Sequence, residues 1–163
     1  MTALNALEEG KSRPVVYFTQ GNGEQDLTDA NSPEEGKGLG ALRERLQKAN
    51  YDVKGLKFGP VANVKTKDPL IIISDRVPDD AETVVVAGPR IALPDYALKA
   101  LRDYMNPPAE KSGKKKGKLV VMLDAVINPG KDLVKTGVES LLAEFDVKIG
   151  DDRVLSYNPN NPF

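Results

Sequence analysis

Neither cysteine nor histidine occurs anywhere in the 163 residues. Their absence removes thiolate nucleophiles, imidazole bases, disulfides and the usual zinc ligands together. It also leaves the redox compartment unreadable, because a protein without cysteine is equally at home in cytoplasm or periplasm. An excess of one charge is missing as well. Lys plus Arg number 23 against 24 for Asp plus Glu, a net charge of -1, so no long-range field points to nucleic acid or anionic lipid. No apolar run approaches the roughly 18–20 residues of a membrane helix, and the N-terminus lacks the charged-then-apolar layout of a signal peptide.

A chain of this length is typical of one domain and is able to hide roughly 68–70% of its unfolded surface. One α/β domain over residues 1–163 is expected, with its core at about 14–150. The short amphipathic run Thr2 to Glu9 and the turn-rich end Asn158-Pro159-Asn160-Asn161-Pro162-Phe163 point to a domain excised from a longer protein.

Val15-Val16-Tyr17-Phe18-Thr19 is a β-branched and aromatic run between Pro14 and Gly21-Asn22-Gly23, and its continuous apolarity predicts a strand buried on both faces. A polar loop from Gln20 to about Glu35 precedes Leu39, Leu42, Leu46 and Ala49, which recur at helical spacing. Asn50 then serves as a left-handed cap, and Tyr51 to Phe58 alternates as a half-exposed strand. Further strands are expected at Thr83 to Ala87 and at Lys118 to Leu123. A helix should begin near Pro94 as a first-turn residue, with Ala97, Leu98, Leu101 and Met105 on one face. Leu133, Val134, Val138, Leu141, Leu142 and Phe145 predict a last long helix with Gly137 inside it, and Val147 to Ile149 with Val154 to Tyr157 a final strand or hairpin.

Alternating strands and helices predict a doubly wound, mostly parallel sheet with right-handed crossovers. Two segments fit this scheme poorly. Pro69-Leu70-Ile71-Ile72-Ile73-Ser74 reads as an edge strand or hairpin insertion, and Asn106 to Gly117, with Lys114-Lys115-Lys116, as a mobile basic loop, solvated or in contact with an anion or lipid.

Ligands of an open parallel sheet sit beyond the carboxyl ends of its strands. The residues placed there are Gln20, Gly21, Asn22, Gly23 and Glu24 after the first strand, Gly88, Pro89 and Arg90 after the Val84 strand, and Asp124 and Ala125 after the Leu119 strand. From these, Gly21, Asn22, Gly23, Glu24, Gly88, Arg90 and Asp124 make a candidate pocket for a small polar ligand. Arg90 would hold an anionic group, and Glu24 or Asp124 would bind hydroxyls or a metal. The competing reading has the glycines shaping turns and the carboxylates capping helices or pairing with Arg90.

Nucleotide motifs fail on inspection. Gly21-Asn22-Gly23 is followed by Asp26 where the dinucleotide fingerprint needs its third glycine. Gly10-Lys11-Ser12 has Asn5 in place of the first glycine of a phosphate loop, and it precedes a strand instead of following one. Gly36-Lys37-Gly38-Leu39-Gly40 opens a helix and reads more readily as a loop end than as an anion site.

The run Val16-Tyr17-Phe18-Thr19-Gln20-Gly21-Asn22-Gly23-Glu24 resembles the soluble domain of the GldG-like family, auxiliary proteins of ABC-type transport systems and gliding motility. The helix Leu39 to Asn50 with Tyr51-Asp52-Val53, the stretch Val77 to Pro89 and the run Gly117 to Asp124 follow in that family's order, over most of residues 14 to 150. The resemblance implies a Rossmann-like or flavodoxin-like three-layer domain, similar in shape to class I glutamine amidotransferases. It implies an extracytoplasmic (periplasmic) location on a membrane-anchored parent, membrane components of an ABC-type system as partners, no cofactor and no catalytic residues. The family turn usually reads Gly-His-Gly-Glu, and Asn22 replaces the histidine here. Intraflagellar transport proteins carry a similar domain, which admits a pure interaction role. The expectation is therefore a noncatalytic accessory domain binding a protein partner or a polar ligand such as a carbohydrate. The alternative is a hydrolase or lyase acting on a sugar or polyol through Glu24 and Asp124, with Mg²⁺ or Ca²⁺ as a possible metal.

Overall fold

The five residues of strand β1 (Val15–Thr19) are all β-branched or aromatic, and all five are buried. In this computed structural model, which describes residues 12–29, 38–59, 68–108, 116–124 and 133–150, β1 is the middle strand of the sheet. β2 (Asp52–Phe58) and β4 (Ala81–Ala87) flank it, β3 (Ile71–Ser74) lies outside β2, and β5 (Lys118–Met122) outside β4. Every pairing is parallel. The order β3-β2-β1-β4-β5 is that of a Rossmann-like sheet, not the 2-1-3-4-5 order of flavodoxin.

Side-chain alternation along β1 divides the core in two. Val15 and Tyr17 join Leu56, Val84 and Val86 beneath helices α2 (Asp95–Met105) and α3 (Val138–Ala143), where Ala97, Leu101, Val138 and Leu141 are buried. Val16 and Phe18 join Val53 and Val85 on the opposite face, beneath Leu27, Leu39 and Leu46 of the loop and helix α1 (Gly40–Lys48). Helices on both faces make the three layers of an α/β sandwich.

The link from β3 to β4 departs from the usual βαβ unit. β4 lies three strand positions from β3, and Ser74 is level with Phe58 while Ala81 is level with Val15 at the other end. The diagonal is roughly 20–25 Å at ordinary strand spacing and rise. Residues 75–80 span it with a bend at 75–76 and a turn closed by the Ala81 N–H on the Pro78 carbonyl, and they leave no room for a crossover helix. This strap is pinned to the sheet by Val77, which is buried in the first core, and by Asp80. The Tyr17 hydroxyl donates to Asp80 Oδ1 at 3.0 Å, and the Lys54 amine lies 3.4 Å from Asp80 Oδ2 and 5.7 Å from the centre of the Tyr17 ring.

Several expectations are corrected. The last helix is short, because Gly137 (φ 83) is its N-cap instead of lying within it, and the Glu139 carboxylate accepts from the Thr136 N–H and hydroxyl just ahead of that cap. Burial opposes ionisation of Glu139, but those hydrogen bonds win and hold its carboxyl below the usual range. Pro94 is the extended cap residue of α2 and not its first helical residue. Leu42, expected on the covered face of α1, is exposed, and Leu27 in the polar loop is fully buried. The Ile71 segment is an edge strand parallel to β2, not a hairpin. β5 is also an edge, with Lys118, Val120 and Met122 exposed. Val147 to Ile149 forms no strand. Asn50 does take the left-handed conformation at φ 69. The Thr2–Glu9 run, Gly10-Lys11, Gly36-Lys37, Lys114-Lys115, Ala125, Val154–Tyr157 and the Asn158–Phe163 end lie outside the described residues.

Burial, and then the bond to Asp80, push the Tyr17 phenol up to about 12. A raised folded-state value means that this contribution is complete below the unfolded value near 10 and fades as pH rises through 12. Tyr17→Phe should cost about 1 kcal/mol at pH 7 in urea unfolding. The deficit should shrink when the measurement is repeated at pH 11.5; an unchanged deficit would show that the hydroxyl does not hold the strap.

Candidate strand-end site

The chain leaves β1 toward β2 and leaves β4 toward β5, so the strand order reverses between β1 and β4. That crevice, beyond their carboxyl ends, is where such a sheet places its ligands. All seven predicted pocket residues lie at this end.

The turn after β1 is folded down onto the end of β4. The Gln25 N–H donates to the Ala87 carbonyl, and the N–H groups of Arg90 and Ile91 both donate to the Asn22 carbonyl, each at 3.0 Å. Gln20 Nε2 bridges the turn from within by donating to the carbonyls of Thr19 and Gln25. Gly23 has φ +78, and a Cβ there would lie 2.9 Å from Arg90 Cβ. Both the conformation and the close approach of the β4 end require glycine at this position.

Glu24 is fastened to its own turn. Its Oε2 accepts from the Asn22 N–H at 2.5 Å and its Oε1 from Asn22 Nδ2 at 3.2 Å. Asn22, which stands where the resembled family has histidine, thus serves as donor to the carboxylate that a hydrolase would need free. Asp124 rests against a different glycine: Gly88 has φ +61, and a Cβ there would lie 2.7 Å from Asp124 Oδ2. Neither Glu24 nor Asp124 forms an ion pair with Arg90 among the described residues, so the expected pairing is absent there; Arg90 and Asp124 are both exposed. Glu24 caps no helix.

Sequence reasoning missed two neighbours. The stem of Lys57 passes over Gly21, where a Cβ would lie 3.3 Å from Lys57 Cε. Its position follows only once Leu56 is known to pair with Thr19. Thr19 itself, the last residue of β1, buries its Oγ1 without a hydrogen-bond partner. Such an orphan hydroxyl costs about 1–3 kcal/mol.

Chemically, the crevice offers two ammonium or guanidinium groups, Lys57 and Arg90, around a turn whose carboxylate is already engaged. Among the described residues, no group of three or more acidic side chains gathers as metal ligands would. The Gly38–Gly40 segment is equally occupied: the N–H groups of Leu39 and Gly40 donate to the carbonyls of Asp26 and Asp29. At the opposite end of the sheet, a cleft of about 590 Å³ opens between the 75–80 strap, α2 and the first residues of β4 and β5.

Glu24→Ala should lower stability by about 1–2 kcal/mol, since the Asn22 N–H loses a charged acceptor. Asp124→Ala, which removes an exposed carboxylate, should stay within about 0.5 kcal/mol of the parent. Equal effects in denaturant unfolding would mean that Glu24 is not the fastening of this turn.

In comparisons with known proteins, no family model, curated protein or solved structure matches the chain.

Proposed function

We propose that this chain is a noncatalytic accessory domain of an ABC-type transport or gliding-motility system. In this reading a membrane-anchored parent carries it outside the cytoplasm, and it docks to the system's membrane components. The reading is supported by the resemblance to the GldG-like family over Val16 to Glu24, Val77 to Pro89 and Gly117 to Asp124, in a Rossmann-like sheet. No helix among the described residues is long and apolar enough to cross a membrane, so an anchor would come from outside them.

The observation that carries the noncatalytic part is the state of Glu24. A sugar hydrolase or lyase built on strand-end carboxylates needs one group free to give a proton and one free to take it. Both oxygens of Glu24 accept from Asn22, and Asp124 lies against Gly88 without an ion pair to Arg90. With no cysteine or histidine in the chain, Cys–His and Ser–His pairs are excluded as well. A small polar ligand held by Lys57 and Arg90 fits the same reading as an accessory function.

The test mixes the purified chain with the solubilised permease and ATPase subunits of the ABC-type system from its own organism, followed by sedimentation velocity. A complex should form and should survive Asp124→Ala and Arg90→Ala. The proposal fails if no complex forms, and the hydrolase alternative takes its place if the chain instead turns over glycosides in a manner lost on Glu24→Gln.

A further inference from the structure

Strand β5 closes one side of the sheet and, among the described residues, pairs with β4 alone. The Met122 carbonyl accepts from the Gly88 N–H and therefore faces β4. Backbone groups alternate along a strand, so those of Lys118 and Val120 face β4 as well, and the N–H and C=O of Leu119 and Val121 point outward. The Lys118 N–H agrees with this, since it donates to the Tyr104 hydroxyl, which donates in turn to the Ala81 carbonyl of β4. An outward row of this kind is a template for another strand.

The side chains along the edge carry a second pattern. From 116 to 124 exposure alternates without a break, with Lys116, Lys118, Val120, Met122 and Asp124 exposed and the residues between them half-buried. Leu119 and Val121 pack on the first core, while Val120 and Met122, 45% and 41% exposed, lie on the other face of the sheet, open to solvent. The opposite edge has no such run, since all four side chains of β3 are half-buried.

The exposed run is self-complementary. Laid antiparallel to a copy of itself about a two-fold axis through Val120, it sets Val120 against Val120, Lys118 against Met122 and Lys116 against Asp124. An axis perpendicular to the sheet keeps all these pairs on the open face, where they are the closely spaced, non-hydrogen-bonded kind. Leu119 of each copy then meets Val121 of the other, and the two pairs exchange four main-chain hydrogen bonds. The charges select this register. Lys118 is already held by Glu82, whereas Lys116 and Asp124 are in no ion pair among the described residues. A parallel, in-register pairing would instead set lysine against lysine and aspartate against aspartate.

We propose that β5 is a dimerisation edge: two copies of this chain pair antiparallel through it, with Lys116 of each on Asp124 of the other, and their two five-stranded sheets become one. The contact is short, so the association is weak and reversible. It uses neither the Gly21–Glu24 turn nor a transport component, and it goes beyond the accessory reading without resting on it.

The full chain is followed by sedimentation equilibrium from about 5 to 500 μM, where monomer should give way to dimer with a Kd of about 10–100 μM. Lys116→Asp and Asp124→Lys each oppose like charges at both ends of the contact, and each alone should weaken self-association about tenfold. Mixed in equal amounts, the two variants regain both ion pairs and should form a heterodimer as tightly as the parent forms its dimer. Val120→Lys puts two lysines on the axis and should leave a monomer, with its circular dichroism unchanged because the site is exposed. Hydrogen exchange of the parent should show the Leu119 and Val121 amides slowing with rising concentration while the Val120 amide, turned to β4, changes little. A parent that stays monomeric at about 500 μM would overturn the proposal. So would a mixture no tighter than the single variants, or a dimer that leaves the Leu119 and Val121 amides unslowed.

Discussion

The parallel pairing of β1 with β2 on one side and β4 on the other is the constraint from which the other features follow. Tyr17 sits between Lys54 and Val84, and Phe18 between Gly55 and Val85. Because β1 is covered on both faces, its alternation assigns α2 and α3 to one layer and α1 to the other. Both ends of the molecule are also built from it. Its carboxyl end releases the Gln20–Glu24 turn onto β4, and its Tyr17 hydroxyl, near the amino end, catches the strap through Asp80. The cost of losing this strand is large: each of its apolar side chains gains about 1.5–3 kcal/mol from burial, and none has an alternative site.

The two ends contrast in how fully their polar groups are used. At the carboxyl end, where such folds usually bind ligands, the turn is stitched to β4 by three backbone hydrogen bonds from Gln25, Arg90 and Ile91, and its acid is consumed by Asn22. At the amino end the short β3–β4 link leaves an open cleft beside α2, lined by charges of both signs.

Much of the fold was legible because the relevant signals are local. Val15 to Thr19 could only be a doubly buried strand, Asn50 was recognisable as a left-handed cap, and the seven pocket residues follow from where strands end. Other features depend on partners distant in sequence. Leu27 is fully buried although its neighbours are polar, because Phe18 and Leu39 close over it. Gly137 caps α3 instead of interrupting it, in a left-handed conformation across which Thr136 bonds to the Glu139 carboxylate. The fate of Glu24 was the least readable: whether a carboxylate beside a glycine turn is free or fastened depends on one amide proton two residues away. The missing helix before β4 was hidden for a similar reason, because the distance that six residues must span is known only once the strand order is.

The most direct measurement is amide hydrogen exchange across the whole chain in native buffer. The account predicts that the β1 amides from Val16 to Phe18 exchange last, through global unfolding alone, with the Gln25 amide protected well above other turn amides because it is bonded to Ala87. Faster exchange in β1 than in β3 or β5, or an unprotected Gln25, would contradict a molecule organised around this strand and the closed turn at its end.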